Sequence, residues 1–229
     1  MKVGVLLSGC GVFDGTEIHE AVSALLALEQ NNLEYICIAP DINQHHVLDH
    51  TSGNEIDVTR NVLIESARIA RGEVTSLQDL DTNIICALVI PGGFGAAKNL
   101  SNWAFNGKDS EVNEKVQSLI KYCVHNKKPI VGLCISPTVI AKSLEGTTIH
   151  PKLTVGSTKG SSEYNIKEIQ DAITSVGAKV KEATINEICI DKELKIITAP
   201  CYMMRASVNE VYKNTKQAID ALSEMLENN

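Results

Sequence analysis

The sequence predicts an α/β fold, a three-layer sandwich whose mostly parallel sheet is covered by helices on both faces. Two observations predict it. Short apolar runs rich in β-branched residues, such as KVGVLLSG (2–9), IICALVI (84–90) and PIVGLC (129–134), read as strands buried on both sides. Amphipathic helical periods separate them, and right-handed crossovers then make the sheet doubly wound. At 229 residues, 44% of them hydrophobic, and with no repeat, low-complexity tract or linker, the chain reads as one domain over 1–229.

The elements follow in order. The first strand is succeeded by TEIHEAVSALLALEQ, which places Ile18, Ala21, Val22, Leu25 and Leu26 on one helical face. EYICIAP is the second strand. Residues 41–60 are polar and mixed, a loop or small hairpin. NVLIESARIARG is a helix stopped at Gly72. The strand IICALVI closes on Pro91-Gly92-Gly93, and Phe94 to Lys108 reads as a long loop. Val112, Val116, Leu119, Ile120 and Cys123 mark the next helix. PIVGLC and PTVIAKSL form a strand and a short helix, and KLTVG reads as a further strand. IKEIQDAITSVG is a helix with Asn165 and Glu168 in capping-box relation, and ICIDKELKIIT is a strand, turn and strand. The last helix opens with Ser207-x-x-Glu210 and carries a stripe through Val211, Tyr212, Ile219, Leu222 and Leu226.

Composition excludes several function classes. Net charge is −7 with no Lys/Arg block, which argues against nucleic-acid binding. No apolar run is long enough to cross a bilayer, and strand-like sequence from Lys2 onward leaves no presequence to expect. Seven cysteines at 10, 37, 86, 123, 134, 189 and 201 form no C-x-x-C pair and are odd in number. This is neither a disulfide framework nor a zinc ribbon, and it predicts a reducing cytoplasm. Cys37, Cys86, Cys123 and Cys189 lie in apolar patterns and read as small buried hydrophobes.

Three loops leave the carboxyl edge of the sheet, where ligands of such folds bind. SGCGVFDGTEIHE spaces its glycines G-x-G-x-x-x-G, off the dinucleotide fingerprint. Its Glu17, near a helix start, either meets ligand or merely complements the helix dipole. PGGFGAAKN lacks the G-K-[ST] ending of a phosphate loop. Its glycines let its backbone approach another loop and present N–H groups, or form an ordinary turn. Gly132-Leu133-Cys134, between strand and helix, matches a nucleophile elbow except that Ser136 replaces the second glycine. There Cys134 faces a helix N-terminus, which lowers a thiol pKa, and Pro137 suits the first helical turn. The alternative is a buried structural cysteine. The topology brings Glu17, Gly92, Gly93 and Cys134 to one edge. The N–H groups of Gly93 and Ile135 can then form an oxyanion hole, and Glu17 can exchange protons. Cys10, near Glu17, either lines the pocket or is a small loop residue.

The segments SGCGVFDGTEIHEAV, TRNVLIESARIARG, PGGFGAAKNLSNWAFNG and CISP resemble the enhancing-lycopene-biosynthesis proteins, also called isoprenoid biosynthesis proteins with an amidotransferase-like domain. These lie within the ThiJ/PfpI, or class I glutamine-amidotransferase-like, superfamily. The resemblance spans nearly the whole chain. It implies a flavodoxin-like three-layer fold, an elbow cysteine at Cys134, an acidic partner at Glu17, a homodimer, and the weak glutathione-independent glyoxalase activity of some members. The chain departs from the superfamily in two places. Ile135 stands where protease-like members carry histidine, and no histidine follows His150, so the late His-x-Glu of glutaminases is missing.

The expected function is therefore a cysteine-dependent glyoxalase acting on a small aldehyde or dicarbonyl, without metal or organic cofactor. The alternative is a non-enzymatic redox-responsive or partner-binding module, in which Cys134 is oxidised. A glutaminase-like subunit is a third reading, opposed by the missing histidine. His46 and His50 stand i, i+4, but their surroundings suggest a loop rather than a metal-binding helix. His19, two residues from Glu17, is expected to point elsewhere on a helix. His150 is a further candidate for reaching the pocket.

Overall fold

The computed structural model describes residues 1–227. The strands are β1 (Lys2–Leu6), β2 (Tyr35–Ala39), β3 (Val74–Ser76), β4 (Ile85–Ile90), β5 (Ile130–Leu133), β6 (Lys152–Leu153), β7 (Lys179–Val180), β8 (Cys189–Asp191) and β9 (Ile196–Ala199). The helices are α1 (Ile18–Gln30), α2 (Val62–Ile69), α3 (Phe94–Lys98), α4 (Trp103–Asn106), α5 (Glu114–His125), α6 (Pro137–Leu144), α7 (Ile166–Ser175) and α8 (Val208–Glu227). Seven strands form the main sheet in the order β3-β2-β1-β4-β5-β9-β8, all parallel except that β8 runs antiparallel to β9. This is the flavodoxin-like architecture the sequence predicts. Strand order reverses at β1, between β2 and β4, and β5 lies next to β4 with Gly132 opposite Ile90. The switch-point crevice and the elbow are therefore neighbours.

Two cores fill the two faces of the sheet. One gathers Leu88, Ile90, Ile130, Ile120 and Ile140 under α5 and α6, and the other gathers Val5, Val89, Val131, Ile197 and Ile219 under α1 and α8. Helix α1 approaches through its small residues. Ala21, Ala24 and Ala27 are fully buried, whereas Ile18, Val22 and Leu26 are 42, 49 and 44% exposed. The apolar face drawn from the sequence is thus split, because alanines let α1 lie close and leave the larger side chains outside. Among the cysteines expected to be buried, Cys37, Cys123 and Cys189 are so, and Cys86 is half-exposed.

Capping follows the sequence closely. Ser207 N–H donates to Glu210 Oε2 at 2.8 Å, and Glu210 N–H donates back to Ser207 Oγ at 3.3 Å. Asn165 accepts from Glu168 N–H at 3.2 Å. Helix α5 begins after its cap at Asn113, so Val112 lies outside it and pairs with Ser101. The expected loop over 94–108 contains α3 and α4, too short to show a helical period. KLTVG contributes only β6, which pairs with β7 in a separate two-stranded sheet, and neither β7 nor the three-residue edge strand β3 was expected.

Candidate active site

The elbow forms as the sequence predicts. Cys134 follows β5 with φ of 59°, a left-handed conformation that is strained for a residue with a side chain. Ser136 Oγ ties the turn to the end of β4 by donating to Ile90 O at 2.8 Å. Pro137 opens α6. Gly132 is required by the helix as much as by the turn, since a Cβ there would lie 2.8 Å from Ile140 Cδ1.

Two glycine loops fuse beside the elbow. Glu17 N–H donates to Gly92 O at 2.9 Å, Phe94 N–H to Val12 O at 2.7 Å and Gly95 N–H to Gly15 O at 2.8 Å. A Cβ on Gly93, whose φ is 92°, would collide with Glu17 N. Gly93→Ala is accordingly expected to destabilise the protein by about 3 kcal/mol or more in denaturant unfolding. Gly53→Ala, at φ of 74° with no atom within 4 Å of its Cβ position, is expected to cost only about 1–2 kcal/mol. Equal losses would show that loop packing is not what requires Gly93.

Around Cys134 the groups converge. Gly93 N–H points at the sulfur. Ile135 N–H donates to no group among the described residues and borders the cavity. Gly92 packs behind the thiol, where a Cβ would meet both Cys134 and Glu20 Oε2. The carboxyl hydrogen-bonded to the thiol is that of Glu20, not Glu17. Glu20 is fully buried, and it accepts from Gly92 N–H at 2.9 Å and from Tyr202 N–H at 3.3 Å. Glu17 instead caps α1 by accepting from Glu20 N–H at 2.7 Å, while lining the same cavity as Cys134. Glu17 is thus the cap of α1 and at the same time part of the cavity wall.

Burial, and then the charge of Glu17, pushes Glu20 up to about 8, against the pull of two backbone N–H groups. Burial also raises Glu17. The thiol of Cys134 is raised by burial and then by Glu20 and Cys201, contrary to the lowering expected from a helix N-terminus. The reason is that the first N–H groups of α6 are occupied: Ser136 donates to Leu133, Thr138 to Ile135 and Val139 to Ser136. Gly93 alone offsets the burial. At neutral pH, Glu20 thus holds a proton against the sulfur, and a thiolate forms only where that carboxyl or a bound ligand accommodates its charge.

The cavity above the elbow measures about 340 Å³. It is bordered by Cys134, Glu17, Gly93 and Ile135, and no histidine lines it. Cys10 and His150 lie outside. Cys10 sits toward α2, near Glu65 and Arg68, and His150 bonds Gly177 O, just after α7, through Nδ1 at 2.9 Å. His19 does not point away from Glu17. Its Nδ1 lies 3.7 Å from Glu17 Oε1 and 2.8 Å from Tyr202 OH. Helical spacing fails for this pair because Glu17, at φ −66° and ψ 120°, is outside the helix. His50 accepts from Phe13 N–H through Nε2 at 3.2 Å and donates through Nδ1 to Leu48 O at 3.1 Å, bracing a loop. Among the described residues no cluster of His, Cys, Asp and Glu suits a metal ion.

The sequence reading missed Glu20 and Tyr202. Glu20 shares the inward face of α1 with Ala24 and Ala27, four and seven residues on, which marks it as buried. Tyr202 leaves β9, whose carboxyl end lies on the same edge as that of β5.

This fold is that of class I glutamine-amidotransferase-like proteins. The crystal structure of an isoprenoid biosynthesis protein with amidotransferase-like domain from Ehrlichia chaffeensis superposes with a TM-score of 0.88 at 32% identity, covering 98% of this chain and 100% of that one. A ThiJ/PfpI domain protein from Brachyspira murdochii shares the fold at 14% identity and a TM-score of 0.56, over 99% of this chain and 96% of that one. No protein-family model matches the chain. The human glutamine amidotransferase-like class 1 domain-containing protein 3, mitochondrial, is 41% identical over 213 residues, 92% of this chain and 78% of that protein. The rat ES1 protein homolog, mitochondrial, is 40% identical over 213 residues, 92% of this chain and 79% of that protein. The chain belongs to this ES1 family of glutamine amidotransferase-like proteins. Mitochondrial describes those relatives; in this chain no described helix is long and apolar enough to cross a membrane.

Proposed function

We propose that the protein is a cysteine-dependent, glutathione-independent glyoxalase that converts small α-oxoaldehydes to hydroxy acids. One observation carries this reading. A strained elbow thiol shares a proton with a buried carboxyl, beside a second carboxyl that lines the cavity, and no histidine lines that cavity. Such a site suits proton transfer between adjacent carbons and lacks the base needed for amide hydrolysis.

Glu20, in its ionised form, takes the Cys134 thiol proton, and Sγ adds to the aldehyde carbon as its C=O π bond breaks. Gly93 and Ile135 N–H groups hold the oxygen, which takes that proton from Glu20 to give the hemithioacetal. Glu17, in the cavity wall, takes the proton from that carbon to form an enediolate, the hydroxyl proton passes to the former ketone oxygen, and Glu17 returns its proton to the neighbouring carbon. The resulting thioester adds water, and lactate or glycolate leaves as the thiol reforms. The test is turnover of glyoxal and methylglyoxal by the wild-type protein without glutathione. Saturable formation of glycolate and lactate is expected, and none at millimolar substrate would overturn the reading.

The alternative, a redox module, is favoured by the second buried thiol, Cys201, beside Cys134. It would show as stoichiometric peroxide oxidation of Cys134 in a protein that turns over no dicarbonyl. The seven free cysteines suit a reducing compartment such as the cytoplasm under either reading.

A homodimer accompanies this proposal. Ile18, Val22 and Leu26, spaced i, i+4, i+8, leave an apolar stripe along α1 that a second copy can cover. Light scattering should give twice the chain mass, falling to the monomer in Val22→Glu. A wild-type monomer at micromolar concentration refutes the dimer.

A further inference from the structure

The cavity is larger and more apolar than a two- or three-carbon dicarbonyl needs. Beyond the elbow its walls are Phe94 of α3, Trp103 and Phe105 of α4, Tyr164, and Ile169 and Ala172 of α7. Its volume of about 340 Å³ lies in the range of pockets for drug-sized ligands. Methylglyoxal has five heavy atoms, so seating it on Cys134 leaves most of the aromatic wall uncovered. Each apolar Å² that a larger substituent removes from water contributes roughly 25 cal/mol.

Charge narrows the substrate further. Glu17 and Glu168 line the cavity, and no lysine, arginine or histidine does. A carboxylate or phosphate brought into this space would meet the acidic Glu17 and, at the exposed rim, Glu168, while Lys98, 5.1 Å from the centroid of the lining Phe94 ring, has its ammonium engaged by Phe13 O. The hemithioacetal of glutathione, with its two carboxylates, faces the same barrier.

We propose that the site selects uncharged α-oxoaldehydes bearing a bulky apolar substituent, such as a phenyl ring or an alkyl chain of about six carbons, and rejects anionic ones. The aldehyde part of this assignment rests on the catalytic reading above. The selection of apolar, uncharged groups rests only on the cavity.

Two measurements separate the two. In the first, kcat/KM is compared for methylglyoxal, phenylglyoxal and 4-carboxyphenylglyoxal. Phenylglyoxal is expected to exceed both others by about tenfold or more, since one methylene in a fitted apolar pocket already gives about tenfold or more. The second needs no turnover. Trp103 is the only tryptophan in the chain and lies in the cavity wall, so its emission reports occupancy. In Cys134→Ser, cyclohexyl methyl ketone is expected to shift that emission saturably, and 4-acetylcyclohexanecarboxylate to leave it unchanged at the same concentrations. Ala172→Phe, which narrows the apolar end, should lower the phenylglyoxal-to-methylglyoxal ratio. If no oxoaldehyde is turned over but the ketone binds selectively, the catalytic reading fails and the cavity assignment stands. Methylglyoxal turned over as well as phenylglyoxal, the carboxylate binding as tightly as the ketone, or no ketone response would each overturn the selectivity inference.

Discussion

Cys134→Ser is expected to abolish dicarbonyl turnover, lowering kcat by about 10⁴-fold or more while the protein stays folded. The exchange of sulfur for oxygen is nearly isosteric, and the left-handed backbone at 134 is kept. A serine hydroxyl has too high a pKa to give up its proton to a carboxyl that itself titrates at about 8. No other cysteine can substitute. Cys10 faces α2 and does not border the cavity, and Cys201 is fully buried. Initial rates with methylglyoxal, and circular dichroism to verify folding, decide the matter. Turnover within about tenfold of wild type in folded Cys134→Ser would remove covalent catalysis from the mechanism.

The two carboxyls are expected to separate by experiment. Glu17→Gln should slow turnover by about 10²–10⁴-fold, because glutamine keeps the shape and the cap of α1 but cannot carry the substrate proton. Iodoacetamide labelling of Cys134 should persist in that variant, since the carboxyl bonded to the sulfur is intact, with its pH profile displaced to lower pH because the charge of Glu17 no longer raises Glu20. Glu20→Gln should also slow turnover within about the same range. It should in addition shift the pH profile of labelling, because the group that exchanges the thiol proton is gone. The controlling observation is the labelling profile, which a merely structural carboxyl would not move. Near-wild-type turnover in folded Glu17→Gln would transfer the carbon-to-carbon proton step to Glu20. Near-wild-type turnover in both would end the glyoxalase mechanism.

Much of this site is legible in the chain, and the limits are physical. Period and composition place β1, β4 and β5 because buried parallel strands are continuous apolar runs. Parallel topology then gathers Cys134, Glu17 and the Gly92-Gly93 turn without further information. What the chain hides is direction and depth. Whether Glu17 or Glu20 meets the thiol depends on the residue at which α1 begins, and a shift of one residue turns a helical side chain by a large angle. The same uncertainty misplaces His19. The raised thiol pKa is hidden as well, because helix N-terminal donors lower a pKa only when free, and local turn geometry decides that. Short elements such as β3, β7, α3 and α4 escape since they are too brief to establish a period.

The buried carboxyl of Glu20 also makes folding a proton-uptake reaction. A glutamate in the unfolded chain titrates near 4.3, whereas in the folded protein Glu20 titrates at about 8. Its contribution to stability is fully present below the unfolded value and is lost progressively as pH rises through the folded one. Between about pH 5 and 8 the native state therefore binds a proton that the unfolded chain releases. Denaturant midpoints should fall across that interval in the wild type and fall less in Glu20→Gln, whose side chain has no proton to lose. Identical slopes in the two proteins would mean that Glu20 is ionised in the native state. The group that exchanges the thiol proton thus weakens the fold as the pH climbs toward 8, so the proton-transfer site at Cys134 sets a limit on how much rising pH the protein tolerates.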